Sequence, residues 1–313
     1  MEINLQVDIA GIKLKNPILT ASGCFGYGEE GSEFFDLAEL GGIVTKSITP
    51  LPRTGHPPPK VVETCSGMLN AIGLTNVGVN KYIAEKLPQL KNCGCAVIVN
   101  IAGTTVEDYV ELAEKISAQD GVDAIELNIS CPNVDRGGLE FSSSPRAAAD
   151  VVSAVKKVCR VPVIPKLSPN VTDIVEIARA VESAGADGVS LINTLVGTAI
   201  DIETGQFRLS NRWGGLSGPA IKPIALAMVY KVASAVKIPV IGLGGIANGA
   251  DVVEFLMAGA AAVQIGTACF AEPNIFIRAR NELEAYLAAH GYKDASEIIG
   301  LTRRLGPSEK KYG

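Results

Sequence analysis

"VPVIPKLSPNVTDIVEIARAVESAGADGVSLINT", residues 161–194, reads as strand, helix, strand. Its first piece, "VPVIPKLS" (161–168), is too short for a buried helix and nearly continuous in apolar residues, as a strand covered on both faces must be. "NVTDIVEIARAVESAG" (170–185) follows as an amphipathic helix that opens on Asn170 or Thr172 and ends on Gly185. "GVSLINT" (188–194) then restores the strand pattern. The same alternation extends outward both ways. Upstream strand candidates are "NPILTAS" (16–22), "GIVTKS" (42–47), "AVIVNIAG" (96–103) and "AIELNIS" (124–130); downstream are "IPVIGLGG" (238–245) and "AVQIGTA" (262–268).

Helical patterns lie between them, with visible start signals. "TTVEDYVELAEKISAQ" (104–119) opens on Thr with an acid three residues on, and "SPRAAADVVSAVKKV" (144–158) opens Ser-Pro. "NGADVVEFLMAGA" (248–260) and "PNIFIRARNELEAYLAAHG" (273–291) follow the seventh and eighth strands. Eight such units predict an α/β fold of the (β/α)8 TIM barrel type. A two-domain dinucleotide-binding arrangement is weaker, because no G-x-G-x-x-G follows the first strand. Two segments stand outside the repeat. "NLQVDIAGIKL" (4–14) reads as a hairpin covering the barrel bottom, and "AIDIETGQFRLSNRWGGLSG" (199–218) as an antiparallel excursion after strand six. No linker divides the chain, so residues 1–313 are expected to form a single domain.

Composition narrows the function classes. Lys+Arg 28 against Asp+Glu 33 gives a net charge of −5, which argues against a nucleic-acid footprint. The N-terminus has no signal-peptide pattern, and no stretch approaches the roughly 18 apolar residues of a membrane helix. The 7 cysteines are scattered and odd in number, which fits reduced thiols in a cytoplasm. "CGC" at 93–95 lacks metal-site spacing, so no metal is expected.

In such barrels chemistry gathers at the C-terminal strand ends. Those ends read Ser22, Lys46 with Ser47, Asn100, Asn128 with Cys131, Lys166, Asn193 with Thr194, Gly244 with Gly245, and Gly266 with Thr267. "GLGGI" and "IGTA" end strands seven and eight, where glycines let a phosphate approach backbone N–H groups. Two tight turns would use the same glycines. Lys46 and Lys166, from strands two and five, suit a carboxylate, a phosphate or charge on a reduced ring; each could equally snorkel to the rim. Asn70, Asn100, Asn128 and Asn193 offer the donors and acceptors that a flat imide-bearing heterocycle needs. Asn70 sits in "SGMLNAIGLTN" (66–76), read as a Gly-flanked loop that could wrap a ligand or simply turn. Cys131 opens "CPNVDRGGLEFSSSP" (131–145), a polar loop capable of acting as a lid. A thiol there can be nucleophile, base or filler. The chain has 2 histidines, His56 and His290, and neither is near it in sequence, which disfavours a Cys–His hydrolase.

"NISCPN", "TKS", "GMLNAIGLTN", "PVIPKLSPN", "IGLGGI" and "QIGTA", in this order and spacing, resemble the class 1 dihydroorotate dehydrogenases along essentially the whole chain. The resemblance implies one FMN-binding barrel that oxidises dihydroorotate to orotate in pyrimidine synthesis. It implies Cys131 as the base, with hydride passing from the carboxylate-bearing carbon to the flavin. Lys46, Asn70, Ala71, Ile72, Gly73, Leu74, Asn128, Asn193 and Thr194 would hold the substrate. FMN would contact Ser22, Lys46, Ser47, Asn100, Asn128, Lys166, Ile192, Gly218, Gly244, Gly245, Gly266 and Thr267. "PRTGHPPPKVVETCSGMLN" and "RWGGLSGPAIKP" resemble the NAD-linked B type, implying a homodimer core joined by a subunit carrying FAD and a [2Fe–2S] cluster. Alternatives are a fumarate-linked dihydroorotate dehydrogenase and another FMN barrel acting on pyrimidines, such as a dihydropyrimidine dehydrogenase or a dihydrouridine reductase. A flavin-free barrel using the glycines for its substrate's phosphate, or an inert scaffold subunit, would be colourless.

Overall fold

The computed structural model describes residues 3–129, 141 and 144–306. In chain order its strands are β1 (Val7–Ile9), β2 (Ile12–Leu14), β3 (Ile18–Thr20), β4 (Gly42–Val44), β5 (Val61–Thr64), β6 (Gly67–Asn70) and β7 (Ala96–Ile101). They continue with β8 (Ala124–Asn128), β9 (Val163–Leu167), β10 (Val189–Leu191), β11 (Leu195–Gly197), β12 (Gly214–Ser217), β13 (Val240–Leu243) and β14 (Ala262–Ile265). Eight of them close a barrel in the order β10-β13-β14-β3-β4-β7-β8-β9, and every pairing in it is parallel. All eight predicted strands are barrel strands.

The helices face the outside of this barrel along apolar stripes, which is why the strands read as continuous apolar runs. Val106–Ser117 buries Tyr109, Leu112, Ala113 and Ile116, and Pro145–Lys156 buries Ala148, Val151, Val152 and Val155. Their caps match the start signals. Thr105 accepts from the Asp108 N–H in a reciprocal capping box, and Ser144 accepts from the Ala147 N–H. Asn248 does the same for Asp251.

Three details differ from expectation. The helix after β9 is capped by Asp173 rather than Asn170 or Thr172. Asn170 is engaged elsewhere: its Nδ2 donates to the Thr194 carbonyl and its Oδ1 accepts from the Val196 N–H, 3.0 Å each. The connection from β3 to β4 carries only the short 3-10 turn Leu37–Glu39, so the first strand lacks its α-helix. "SGMLN" is not a loop, since Gly67–Asn70 forms β6.

That strand pairs with β5 on one side and β12 on the other, making an antiparallel sheet β11-β12-β6-β5. Two excursions therefore build it, one after β4 and one after β10. Both leave C-terminal strand ends, so the sheet stands over that mouth of the barrel. The predicted N-terminal hairpin is β1 with β2, turning through Ala10 and Gly11 at positive φ. Val7, Ile9 and Leu14 pack into the core just ahead of β3, at the opposite end. Among the described residues no helix is long and apolar enough to cross a membrane.

Candidate active site

The strand-end residues converge in linked groups. On β9, Lys166 is 4% exposed; its Nζ donates to Ser22 Oγ at 3.2 Å and lies 3.9 Å from Glu126 Oε1 on β8. Glu126 is fully buried and accepts from Asn100 Nδ2 on β7 at 2.7 Å. A second group sits beside the first, because Asn128 and Lys166 are register partners. Asn128 Nδ2 donates to Ser47 Oγ at 3.3 Å, and Asn193 Nδ2 reaches Asn128 Oδ1 at 3.5 Å. Asn193 Oδ1 accepts from the Thr194 N–H at 2.8 Å.

The antiparallel sheet contributes a third group. Asn70 Nδ2 donates to the Gly215 carbonyl at 3.3 Å, and a Cβ on Gly215 would fall 2.0 Å from Thr194 Oγ1. Asn70 and Thr194 thus share one glycine on β12. The segment Ala71–Leu74 leaves β6 with positive φ at Gly73 and Leu74. It is tied back by the His56 N–H donating to the Ile72 carbonyl and the Ala71 N–H donating to Lys60.

The glycines form a fourth group. A Cβ on Gly245 would stand 2.7 Å from the Lys222 nitrogen and 2.9 Å from the Gly218 carbonyl, and Gly218 itself has a positive φ. Gly244 backs onto Ile192, and Gly266 onto Ala21 and Cys24; Thr267 follows it at the start of the turn Ala268–Ala271. The glycines thus let backbone segments approach one another closely at the ends of β13 and β14, where a Cβ could not be accommodated.

Lys46 leaves β4, three strands from β9 around the ring. Burial pushes its ammonium below the usual lysine range; the Glu30 carboxylate opposes that, and Lys60 adds to it. A half-buried lysine of this kind favours an anionic partner. Cys131 lies outside the described residues, as does most of the predicted lid at 131–145. Another thiol, Cys24, borders the mouth. Burial pushes it up to about 11, with the Lys166 charge opposing, so it is poorly suited to take a proton near neutrality.

Glu126 and Gln264 were not singled out from the sequence. The available signal was a charged and an amide residue inside strands otherwise buried on both faces, "AIELNIS" and "AVQIGTA". Gln264 Nε2 donates to Glu126 Oε2 at 2.6 Å, and Ser190 Oγ donates to the same oxygen at 2.8 Å. Asn100 Oδ1 and Gln264 Oε1 are buried without a hydrogen-bond partner. The mouth thus offers the groups a flat, polar-edged ring and an attached phosphate require: strand-end amides, two lysines and glycine-rich strand ends.

Comparison with known proteins agrees with this chemistry. The family model described as dihydroorotate dehydrogenase matches residues 4–287. A protein of Geobacter sulfurreducens named "Dihydroorotate dehydrogenase B (NAD(+)), catalytic subunit" is 55% identical over 297 residues, 95% of this chain and 97% of its own length. Proteins of the same name from Bacillus pumilus and Bacteroides thetaiotaomicron are each 54% identical. Each match spans 95% of this chain, and 96% and 98% of the respective relative.

Proposed function

The chain belongs to the dihydroorotate dehydrogenase family and is an oxidoreductase, and from that premise we propose that it oxidises dihydroorotate to orotate in pyrimidine biosynthesis, on bound FMN and with NAD+ as the final acceptor. The observation that carries the reading is the polar mouth, where Lys166 beside Ser22 and Asn128 beside Ser47 and Asn193 gather at the C-terminal strand ends. Gly245 packs directly against the backbone of Gly218 and Lys222, an approach that admits no Cβ, and the glycine-rich ends of β13 and β14 suit the phosphate of a mononucleotide.

FMN, when bound, supplies a two-electron acceptor. Ser22, Ser47, Asn100, Asn128, Lys166 and Ile192 would hold its ring region, and Gly218, Gly244, Gly245, Gly266 and Thr267 its phosphate end. Lys46, Asn70, the segment Ala71–Leu74, Asn128, Asn193 and Thr194 would hold the substrate. Lys46 fits a carboxylate, since an anion restores the charge that burial disfavours.

Cys131 follows Asn128, the last residue of β8, by three positions. Its Sγ is the proposed base, removing the proton from the carbon next to the carboxylate-bearing one. The electron pair of the other C–H bond leaves as hydride, so the ring gains its double bond as one proton and one hydride depart. Lys166, already beside Ser22 and Glu126, balances negative charge that builds during the transfer.

The relatives' names call them catalytic subunits, which implies a partner subunit. We place FAD and a [2Fe–2S] cluster on that partner, joined to a dimer of this chain. The test is an anaerobic flavin spectrum of the purified chain before and after dihydroorotate. Bleaching of a yellow protein supports the reading. A yellow protein that stays oxidised, or a colourless one, overturns it.

A further inference from the structure

The "CGC" at 93–95 is a motif that the oxidation of dihydroorotate does not use. Cys93 follows the short helix Leu87–Leu90, its N–H donating to the Leu90 carbonyl at 3.1 Å, and Cys95 directly precedes β7. Gly94, between them, has φ +74, so the chain bends and brings both side chains to one side. The bend is held from outside. Lys15, just after β2, donates from Nζ to the Gly94 carbonyl at 2.6 Å and to the Ala38 carbonyl at 2.5 Å. A Cβ on Gly94 would stand 2.9 Å from the Ala38 Cβ.

The two sulfurs consequently lie 3.4 Å apart, and neither residue is fully buried. Among the described residues they are the one pair of sulfurs in hydrogen-bond contact. A disulfide bond measures about 2.05 Å, so from 3.4 Å the sulfurs need to close by about 1.4 Å. The place is the N-terminal end of β7, away from the strand ends that form the candidate active site.

The contact also makes one sulfur nucleophilic. The hydrogen bond from Cys95 pulls Cys93 down to about 6, against burial and the Asp123 carboxylate, so a thiolate stands beside a thiol near neutrality. Cys95 is pushed up by that same bond, by burial and by the charge on Cys93, with Lys15 opposing. What Cys93 contributes to this vanishes once its sulfur carries no charge. Cys95 can then attack in turn.

We propose that Cys93 and Cys95 form a redox-active dithiol, a modification site at the barrel bottom that a small disulfide such as oxidised glutathione converts to an intramolecular disulfide. Cys93 Sγ attacks one sulfur of the oxidant and expels the other as a thiolate, leaving a mixed disulfide. Cys95 Sγ–H gives up its proton, and its sulfur attacks Cys93 Sγ and expels the second small thiolate. Two protein thiols lose two electrons and two protons in forming one S–S bond. The small disulfide gains them and leaves as two thiols.

The full-length chain is reduced, desalted and incubated with oxidised glutathione; free thiols are then alkylated and tryptic peptides weighed. Residues 92–115 form one tryptic peptide, in which Cys93 and Cys95 are the only cysteines. Its main product is expected to lack two hydrogens, carry no alkyl group and no glutathione, and exceed the glutathione adduct by at least about tenfold, because the attacking thiol is already in contact. A peptide that keeps both thiols free, holds glutathione as its main product, or is bonded to another cysteine overturns the proposal. Cys95→Ser is expected to stop at the mixed disulfide, raising the glutathione adduct of Cys93 at least about tenfold over the wild type. An adduct as scarce as in the wild type overturns the closing role of Cys95. The wild-type product decides the proposal even should Cys95→Ser fail to fold by circular dichroism.

Discussion

At the C-terminal mouth of the barrel, Glu126, Lys166, Asn100 and Asn128 bury charge and amide groups within reach of one another. One layer toward the other end, Ile98, Ala124, Ile164 and Ala262 occupy the same strand faces and offer nothing polar. Burying unpaired polar groups costs several kcal/mol, and apolar side chains carry no such cost. The bottom layer therefore holds the barrel together by apolar packing, while the mouth keeps its polar groups by pairing them with one another. Glycines divide in the same way. Gly11, in the bottom hairpin, has φ +86 with open space where a Cβ would go; Gly245, at the mouth, has φ +79 with backbone atoms there.

The contrast can be broken at its strongest point with Cys131→Ala. The expected loss of turnover is ~100- to 10,000-fold, the range for a general base, with flavin absorbance retained. Steady-state oxidation of dihydroorotate measures it, and near-normal turnover would remove Cys131 from the chemistry. Ile164→Ala, in the apolar layer, is expected to cost about 2–5 kcal/mol in urea denaturation by opening a cavity. Substrate turnover by the folded fraction should stay close to wild type; a large change in KM there would show that the two layers are not separable.

A matched pair sharpens the comparison of glycines. Gly245→Ala is expected to weaken FMN binding at least ~tenfold, because its Cβ meets backbone that cannot swing aside. Gly11→Ala should cost about 1–2 kcal/mol of backbone strain and leave FMN affinity alone. Equal effects on affinity would refute a phosphate site at the end of β13.

The smallest effect concerns thiols. Cys93 and Cys95 lie with their sulfurs 3.4 Å apart. The hydrogen bond from Cys95 pulls Cys93 down to about 6, with burial opposing, and the same contact pushes Cys95 up. A thiolate forms above its pKa, so iodoacetamide labelling of Cys93 should rise through pH 6 and level off near neutrality. Cys24 and Cys269, pushed by burial up to about 11 and about 12, should stay unlabelled over that range by peptide mass spectrometry. Turnover should be unaffected; its loss on labelling would tie the bottom to the chemistry after all.

Local patterns were enough to read the barrel. Apolar strand runs, capped amphipathic helices and polar strand ends each depend on residues close in sequence, and the (β/α)8 topology follows from their repetition. Most candidate site residues were legible for the same reason, since a strand end in this fold is a place in the site. Gly67–Asn70 was not legible as a strand, because one of its two partners lies at residues 214–217, far along the chain, and the other is the short Val61–Thr64 just before it. Asp173 took the cap from Asn170 because Asn170 is held by Thr194 and Val196, a contact between different strand–helix units.

What the sequence by itself determined is the order of elements and the chemistry offered at each strand end, because both are set by side-chain periodicity and short-range hydrogen bonding. Only the tertiary structure decided that Glu126 meets Gln264 across the barrel, and that Asn70 and Thr194 share Gly215. Those contacts join residues about 140 positions apart or span two excursions, and closure of the ring is what makes them neighbours. A buried carboxylate finds three donors only when several walls supply them at once, and that is a property of the closed barrel.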